Sequence, residues 1–129
     1  MLGIGQTGIE DRAEATRFEL PSKRLVVCES IQALTDELSR CAVVCSMKFH
    51  GCVVAHMMGI PTISLSGADK FVSFFRMTGR SNFLSSREDP LLASLLDREL
   101  EPPDADQVQR LRRDARAGIE ALDWQLRDL

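Results

Sequence analysis

The segment Ser46–Gly51 places a hydroxyl, an ammonium and an imidazole close together in the order Ser-Met-Lys-Phe-His-Gly. An apolar run precedes it and a helical pattern follows, which predicts that these side chains lie in the first turn of a helix. There the helix dipole contributes about half a positive charge, Lys48 a whole one and His50 one that switches near neutral pH. Gly51 lets another group approach closely. The chemistry indicated is anion binding.

A second polar group follows the next apolar run, Pro61–Leu65. It consists of Ser64, Ser66, Gly67 and Lys70. Ligands of parallel sheets bind beyond the carboxyl ends of the strands, where successive loops meet at one edge. We therefore expect the two loops to converge, and Lys48, His50 and Lys70 to point into one anion-binding crevice.

Strands and helices alternate in the sequence around these loops. Each strand is a short apolar run without polar alternation, which is typical of a buried parallel strand. The fold class predicted is α/β, a Rossmann-like parallel sheet with helices on both faces. The predicted strands are Leu25–Cys28, Cys41–Cys45 and Pro61–Leu65; the predicted helices follow Ser30 as N-cap, run from Ser46 as N-cap to Gly59, and carry Phe71, Phe74 and Phe75 on one face.

Two further helices are predicted towards the carboxyl end. Asp89 and Pro90 form a favourable start for a leucine-rich helix, which the prolines at 102 and 103 end. A long amphipathic helix is predicted over 104–127, where apolar residues recur every three or four positions. We expect residues 1–129 to form a single domain that begins partway through a larger fold, because the run before the first glycines is too short for a full strand.

Composition excludes several classes of protein. The net charge is −3, Tyr is absent and aromatic residues make up 5% of the chain, which disfavours nucleic acid as a partner. No apolar run approaches the roughly 20 residues that cross a bilayer, so no membrane span is expected. The first residues lack the basic flank and long apolar stretch of a secretory signal. These observations predict a cytoplasmic protein.

The cysteines and the second histidine are interpreted as structural. Three of the four cysteines lie in apolar runs, which predicts reduced, buried thiols rather than disulfides. The spacing of Cys41, Cys45 and Cys52 contains no CxxC pair, so we expect no metal site and no cofactor. His56 stands among apolar residues in mid-helix and is expected to be packed and hydrogen-bonded.

The spacing of the motif resembles a known family of transferases. Ser46–Gly51, followed by Gly59-Ile60-Pro61 and then Lys70, is similar to the S-x-R-[FL]-H-G … G-[IV]-P … K pattern of polysaccharide pyruvyl transferases. The resemblance covers roughly residues 25–84. It implies the carboxy-terminal half of a two-Rossmann-domain (GT-B-like) transferase in surface-polysaccharide synthesis. Such a protein would need an amino-terminal domain, and would move pyruvate from phosphoenolpyruvate onto a sugar hydroxyl of a glycan acceptor as a ketal.

The resemblance also implies roles for individual residues. His50 would be the catalytic acid or the phosphate-binding group, and Lys48 would hold the anionic groups of the donor. Lys70 and Ser66 would complete the donor side, and Ser46 would cap the helix or bind phosphate. The family's usual Arg is Lys48 here, which replaces a planar fork with a point charge.

Three other interpretations remain open. The glycines at positions 3, 5 and 8 match G-x-G-x-x-G, and Glu29 stands about 20 residues further on, as in a dinucleotide site. A nucleotide-sugar glycosyltransferase half-domain would bind a diphosphate at the same helix starts. The chain is, thirdly, compatible with a non-catalytic fragment of such an enzyme.

Overall fold

The computed structural model describes residues 26–86 and 88–127. Within these ranges the chain is mixed α/β, with a small parallel sheet and helices between and after its strands. The elements in chain order are α1 (Ile31–Leu38), β1 (Val44–Ser46), α2 (Phe49–Met57), β2 (Thr62–Ser64), α3 (Asp69–Met77), a 3₁₀ turn (Ser81–Phe83), α4 (Leu92–Leu96) and α5 (Ala105–Arg127).

The two strands pair in parallel, with Val44 opposite Thr62 and Ser46 opposite Ser64. A parallel bridge from Ser64 to Leu84 adds one more segment beside β2. All three residues of β2 are buried, as expected for a strand covered on both faces. The two strand ends that carry the polar loops therefore lie next to each other.

The core lies around β2 and is largely aromatic. Its fully buried members are Cys52 from α2, Ile63 from β2, Phe71 and Phe75 from α3, and Phe83. The helices contribute at three- and four-residue spacing, so one face of α3 packs inward while its charged residues stay in water. Burying side chains of this size contributes about 1.5–3 kcal/mol each, which makes this cluster the main support of the strand ends.

Helices α2 and α3 end in the same way. Gly59 and Gly79 have φ angles of 76° and 68°, in the left-handed region that favours glycine. The amide of Ile60 donates to the carbonyl of Ala55, and that of Arg80 to the carbonyl of Phe75, as in a Schellman cap. The helix that follows Ser46 thus stops just before Gly59, as predicted.

Two arginines hold the carboxyl-terminal part of the chain against these helix ends. Arg80 is buried and donates to the carbonyl oxygens of Glu101 (2.6 Å) and Pro102 (3.2 Å). Arg112 of α5 donates to the carbonyl oxygen of Met57, the last residue of α2 (2.6 Å). Carbonyls at a helix end lack intrahelical partners, and a guanidinium satisfies them well.

The alternation of strand and helix and the long last helix are confirmed, but several boundaries were wrong. Val26–Cys28 has no regular secondary structure where a strand was predicted, and Leu25 lies outside the described residues. The strand predicted over Cys41–Cys45 is Val44–Ser46 instead. In the register of this sheet, the residues before Val44 lie opposite the segment that closes α2 around Gly59. That segment is not extended, so it cannot pair with a strand. The GT-B-like Rossmann arrangement stays a prediction.

Two predictions about side chains also need correction. Ser30 caps α1 as expected, its hydroxyl accepting from the Ala33 amide, but Ser46 belongs to β1, and Lys48 is the N-cap residue of α2. All four cysteines are free thiols, as predicted, yet Cys41 and Cys45 are exposed rather than buried. Cys45 is the central residue of β1, with its side chain on the exposed face of that strand, and Cys41 precedes the strand.

The chain divides into two compact units with the boundary after Arg40. All of the predicted site residues fall in the second unit. The expectation of one domain over residues 1–129, and of its place in a larger transferase, stays a prediction. Among the described helices, none combines the length and the apolar character that crossing a membrane requires.

Candidate functional site

The hydroxyl of Ser46 closes a tight turn between β1 and α2. Its Oγ accepts a hydrogen bond from the backbone amide of Lys48 and donates to the carbonyl of the same residue, both at 3.0 Å. A Cβ added at Gly51 would stand 2.8 Å from this Oγ. The glycine therefore lets the first turn of α2 close over the serine. The expected approach of an anion to Gly51 stays a prediction. Ser46 shapes the loop rather than capping the helix.

The start of α2 is open. Lys48 at the N-cap position makes no side-chain capping bond, and the first turn contains no acidic residue. The side chains of Lys48 and His50 are both exposed. An uncapped helix start directs amide protons and the positive end of the dipole outwards, so this end of α2 has the charge and the donors that an anion needs.

The junction between β2 and α3 repeats the same turn. Ser64 Oγ donates to the carbonyl of Ser66 (2.9 Å) and accepts from its amide (3.2 Å). Ser66 Oγ in turn accepts a long bond from the Ala68 amide (3.4 Å). Because Ser46 and Ser64 are partners in the sheet, the two turns leave the same edge side by side. Two neighbouring loops thus converge, as the parallel topology predicts.

The two helix starts differ in charge. The first turn of α3 contains Asp69, which is exposed and would repel an anion at this helix end. Lys70 follows directly and is also exposed. The start of α2, whose first turn contains no acidic residue, is therefore the less negative of the two helix ends.

Phe49 connects the two helix starts. Its ring meets the His50 ring edge-on, with centroids 6.0 Å apart, and the Lys70 Nζ stands 5.5 Å from its centroid. The same ring packs edge-on against Phe71 (5.4 Å) and Phe74 (5.8 Å) of α3. His50 and Lys70, which are 20 positions apart in the chain, are thus brought to one aromatic ring.

Two titratable groups beneath the site are structural. Burial raises the pKa of the Cys52 thiol to about 11, so it remains a neutral donor to the carbonyl of Ser46 (3.8 Å). His56 is 1% exposed and stacks edge-on with Phe74. Burial, and then the positive charge of Arg80, lower the pKa of His56, which favours its neutral form. Both groups lack the exposure that a nucleophile or an acid at this site would need.

The prediction for His56 was correct on packing and wrong on hydrogen bonding. Its Nε2 atom is buried and has no hydrogen-bond partner among the residues that the structure describes. No cluster of three or more His, Cys, Asp or Glu side chains in ranges 26–86 and 88–127 is arranged to hold a metal ion.

Comparison with known protein families gives an independent result. Residues 5–69 match the family model of polysaccharide pyruvyl transferase, about half of the chain. The chain belongs to the polysaccharide pyruvyl transferase family. No curated protein and no solved structure matches it at the significance level that we required.

The family match covers most of the motif from which the resemblance was inferred. It includes Ser46, Lys48, His50, Gly51 and Ser66, and it ends one residue before Lys70. It also begins well upstream of Leu25 and stops short of Leu84, so the part that resembles pyruvyl transferases lies further towards the amino end than the motif alone suggested. Which half of a pyruvyl transferase the chain represents stays a prediction.

The sequence pattern missed the contribution of Phe49. Its position between Lys48 and His50 was a visible signal, but the partners of its ring come from α3 and are distant in sequence. The dinucleotide fingerprint at positions 3–8 lies outside the described residues. Glu29, its proposed partner, is exposed in a segment without regular structure.

Proposed function

We propose that this chain forms the donor side of a pyruvyl transferase that moves pyruvate from phosphoenolpyruvate onto a glycan as a ketal. The observation that carries the proposal is the open start of α2 within the family motif, with Lys48 and His50 exposed and Lys70 brought near through Phe49. We further propose that it acts in the cytoplasm on precursors of a surface polysaccharide.

The donor's charge explains why such a site suits it. In phosphoenolpyruvate, a three-carbon molecule, the phosphate is on the carbon next to the carboxylate. The donor therefore needs cations and N–H donors in one small region. Lys48 and Lys70 would supply charge from the two loops, and the open amides of α2 would receive phosphate or carboxylate oxygens. Asp69 would bias the anion towards α2 and away from α3.

The reaction requires one proton to be delivered. The methylene carbon of the donor gains a proton, two sugar hydroxyl oxygens bond to the neighbouring carbon, and the bond from that carbon to the phosphate oxygen breaks. Of the two protons that the hydroxyls lose, one balances the new methyl group and the other leaves with inorganic phosphate. An exposed imidazole beside the phosphate site can serve as the acid, at the carbon or at the departing oxygen.

Lys48 is the feature in which this chain departs from the family pattern. A guanidinium would hold a carboxylate or a phosphate with two parallel hydrogen bonds, whereas an ammonium acts as a point charge. We propose that the ring-supported Lys70 and the open amides share the work that an arginine would do at position 48.

Ligand-dependent melting of the complete protein tests the donor class. Phosphoenolpyruvate at about 100 times its Kd should stabilise the folded protein by about 2.7 kcal/mol and raise its melting temperature. A rise with a nucleotide sugar instead would favour the glycosyltransferase interpretation. No shift with either ligand would support a non-catalytic fragment.

A further inference from the structure

The ring of Phe49 contacts side chains of both α2 and α3 at the proposed site. Its ring is half-buried, and two of its aromatic neighbours, Phe71 and Phe74, belong to α3. The ring also lies beside two charged or titratable groups, His50 and Lys70. Two of the proposed site residues therefore lie beside the same aromatic ring.

We propose that Phe49 is a positioning residue, whose ring fixes the Lys70 ammonium and the His50 imidazole relative to each other. The role in donor binding rests on the proposed function. The contact between the Phe49 ring and Lys70 can be measured whether or not that function is correct. Apolar packing alone would not supply this role in donor binding.

The position of Lys70 supports a specific role for aromatic rings. Its Nζ lies 5.5 Å from the Phe49 centroid and 5.9 Å from that of Phe71, and these rings meet edge-on. A cation within about 6 Å of a ring is attracted to the negative face of its π system. Two rings forming a corner restrict an exposed lysine, which otherwise samples many rotamers. Part of the conformational entropy of the Lys70 side chain is then already lost before the donor binds, which lowers the entropic cost of binding.

Replacing the ring by an aliphatic side chain distinguishes the effect of apolar packing from that of the cation–π contact. Phe49→Leu keeps an apolar contact with α3 but removes the face that attracts Lys70. We expect the KM for phosphoenolpyruvate to rise about two- to fivefold, the change that an exposed cation–π contact supports, while kcat falls by less. Phe49→Tyr keeps the ring and should restore the wild-type KM.

A double-mutant cycle tests whether the effect passes through Lys70. Lys70→Met removes the charge and keeps a stem of similar length. If Phe49 acts by positioning the ammonium, Phe49→Leu should raise KM no further in the Lys70→Met background. Phe74→Leu is the matched control, because it removes a half-buried ring from the same cluster and its effect should add to that of Lys70→Met. Additive effects of Phe49→Leu and Lys70→Met would overturn the proposal.

A spectroscopic measurement gives a result even if no transfer activity is found. Protons near an aromatic face are shifted upfield in NMR spectra, so the ε-methylene protons of Lys70 should be shifted in the wild type and in Phe49→Tyr, and less shifted in Phe49→Leu. A Lys70 signal that is the same in all three variants would refute the positioning role. His50→Ala serves as the separate test of the reaction: full activity in that variant would refute the acid role of His50 and leave the Phe49 result standing.

Discussion

The two ends of helices α2 and α3 are built in opposite ways. At their amino ends neither helix has a side-chain cap, and Lys48, His50 and Lys70 are exposed. At their carboxyl ends both helices close in Schellman caps, and two titratable groups, His56 and Arg80, are buried. We call these the open ends and the closed ends.

The two kinds of helix end are expected to have different roles: the closed ends stabilise the fold, and the open ends carry the proposed site. At the closed ends, backbone amides and Arg112 satisfy helix carbonyls, and Arg80 donates to the carbonyls of Glu101 and Pro102, so that neighbouring segments are held in place. The open ends have no side-chain cap and carry exposed cations beside their first amides, which is the arrangement that the proposed anion site needs. Substitutions at the open ends should therefore change activity, and those at the closed ends should change the free energy of unfolding.

The largest effect is expected at the open end of α2. His50→Ala should lower the rate of pyruvate transfer by about 100-fold or more, because a positioned acid contributes at least this factor. Since His50 is exposed, the free energy of unfolding should change by no more than about 0.5 kcal/mol. The rate is measured as phosphate release from phosphoenolpyruvate in the presence of acceptor glycan. A rate within a few-fold of wild type would remove His50 from the chemistry.

Arg80 should show the converse behaviour at the closed end of α3. Arg80→Ala removes two hydrogen bonds to the Glu101 and Pro102 carbonyls and the packing of the guanidinium 4.2 Å from the Phe83 ring centroid. We expect a loss of about 2–3 kcal/mol in the free energy of unfolding, measured by urea denaturation. Arg80→Lys should recover only part of it, because one ammonium cannot span both carbonyls. If unfolding is unchanged, the contact to residues 101–102 does not hold the closed end together.

His56 should make the closed end sensitive to acid. Its pKa is lowered in the folded protein, so below the ordinary histidine value of about 6.5 the unfolded chain binds more protons than the folded one. Stability should therefore fall as the pH drops below that value, by at most about 1.4 kcal/mol per pH unit, until the folded state is protonated too. His56→Gln should show a smaller loss between pH 7 and pH 5 in urea titrations. An identical loss in both proteins would show that other groups cause the acid sensitivity.

The smallest effects on the free energy of unfolding are expected at two glycines, one at each kind of helix end. Gly59 closes α2 at a φ of 76° with open space around it, so Gly59→Ala should cost about 1–2 kcal/mol from backbone strain alone. Gly67, in the loop before the open end of α3, also has space around it, and its φ lies outside the left-handed region. Gly67→Ala should be neutral or stabilising by up to about 1 kcal/mol. Equal costs at both positions would mean that the caps do not account for the difference between the two ends.

Much of this contrast was visible in the sequence because its signals are local. A glycine followed by Ile60 and Pro61 ends a helical pattern within a few residues, and Ser30 before an apolar period starts one. The grouping of Lys48 and His50 at one helix start needed only their spacing and the strand before them. The parallel order of the strands then placed Lys70 at the same edge.

The partners of individual side chains were not visible, because they come from elements far apart in the chain. Phe49 meets Lys70 only because β1 and β2 pair in one register and carry α2 and α3 to the same edge. At the other end of the helices, the charge of Arg80, 24 positions away in the chain, lowers the pKa of His56. The extent of β1 was likewise decided by its neighbour, since Val44 is the first residue opposite an extended partner, Thr62.

The sequence by itself determined the cap of α1 at Ser30, the end of α2 before Gly59 and the charges near the start of α2, since capping and periodicity act over one or two turns. Only the tertiary structure decided which ends remain open, how long the strand before the site is, and which ring lies under which cation. These depend on the packing of the aromatic core around Ile63, in which each contact joins residues that the chain order keeps apart.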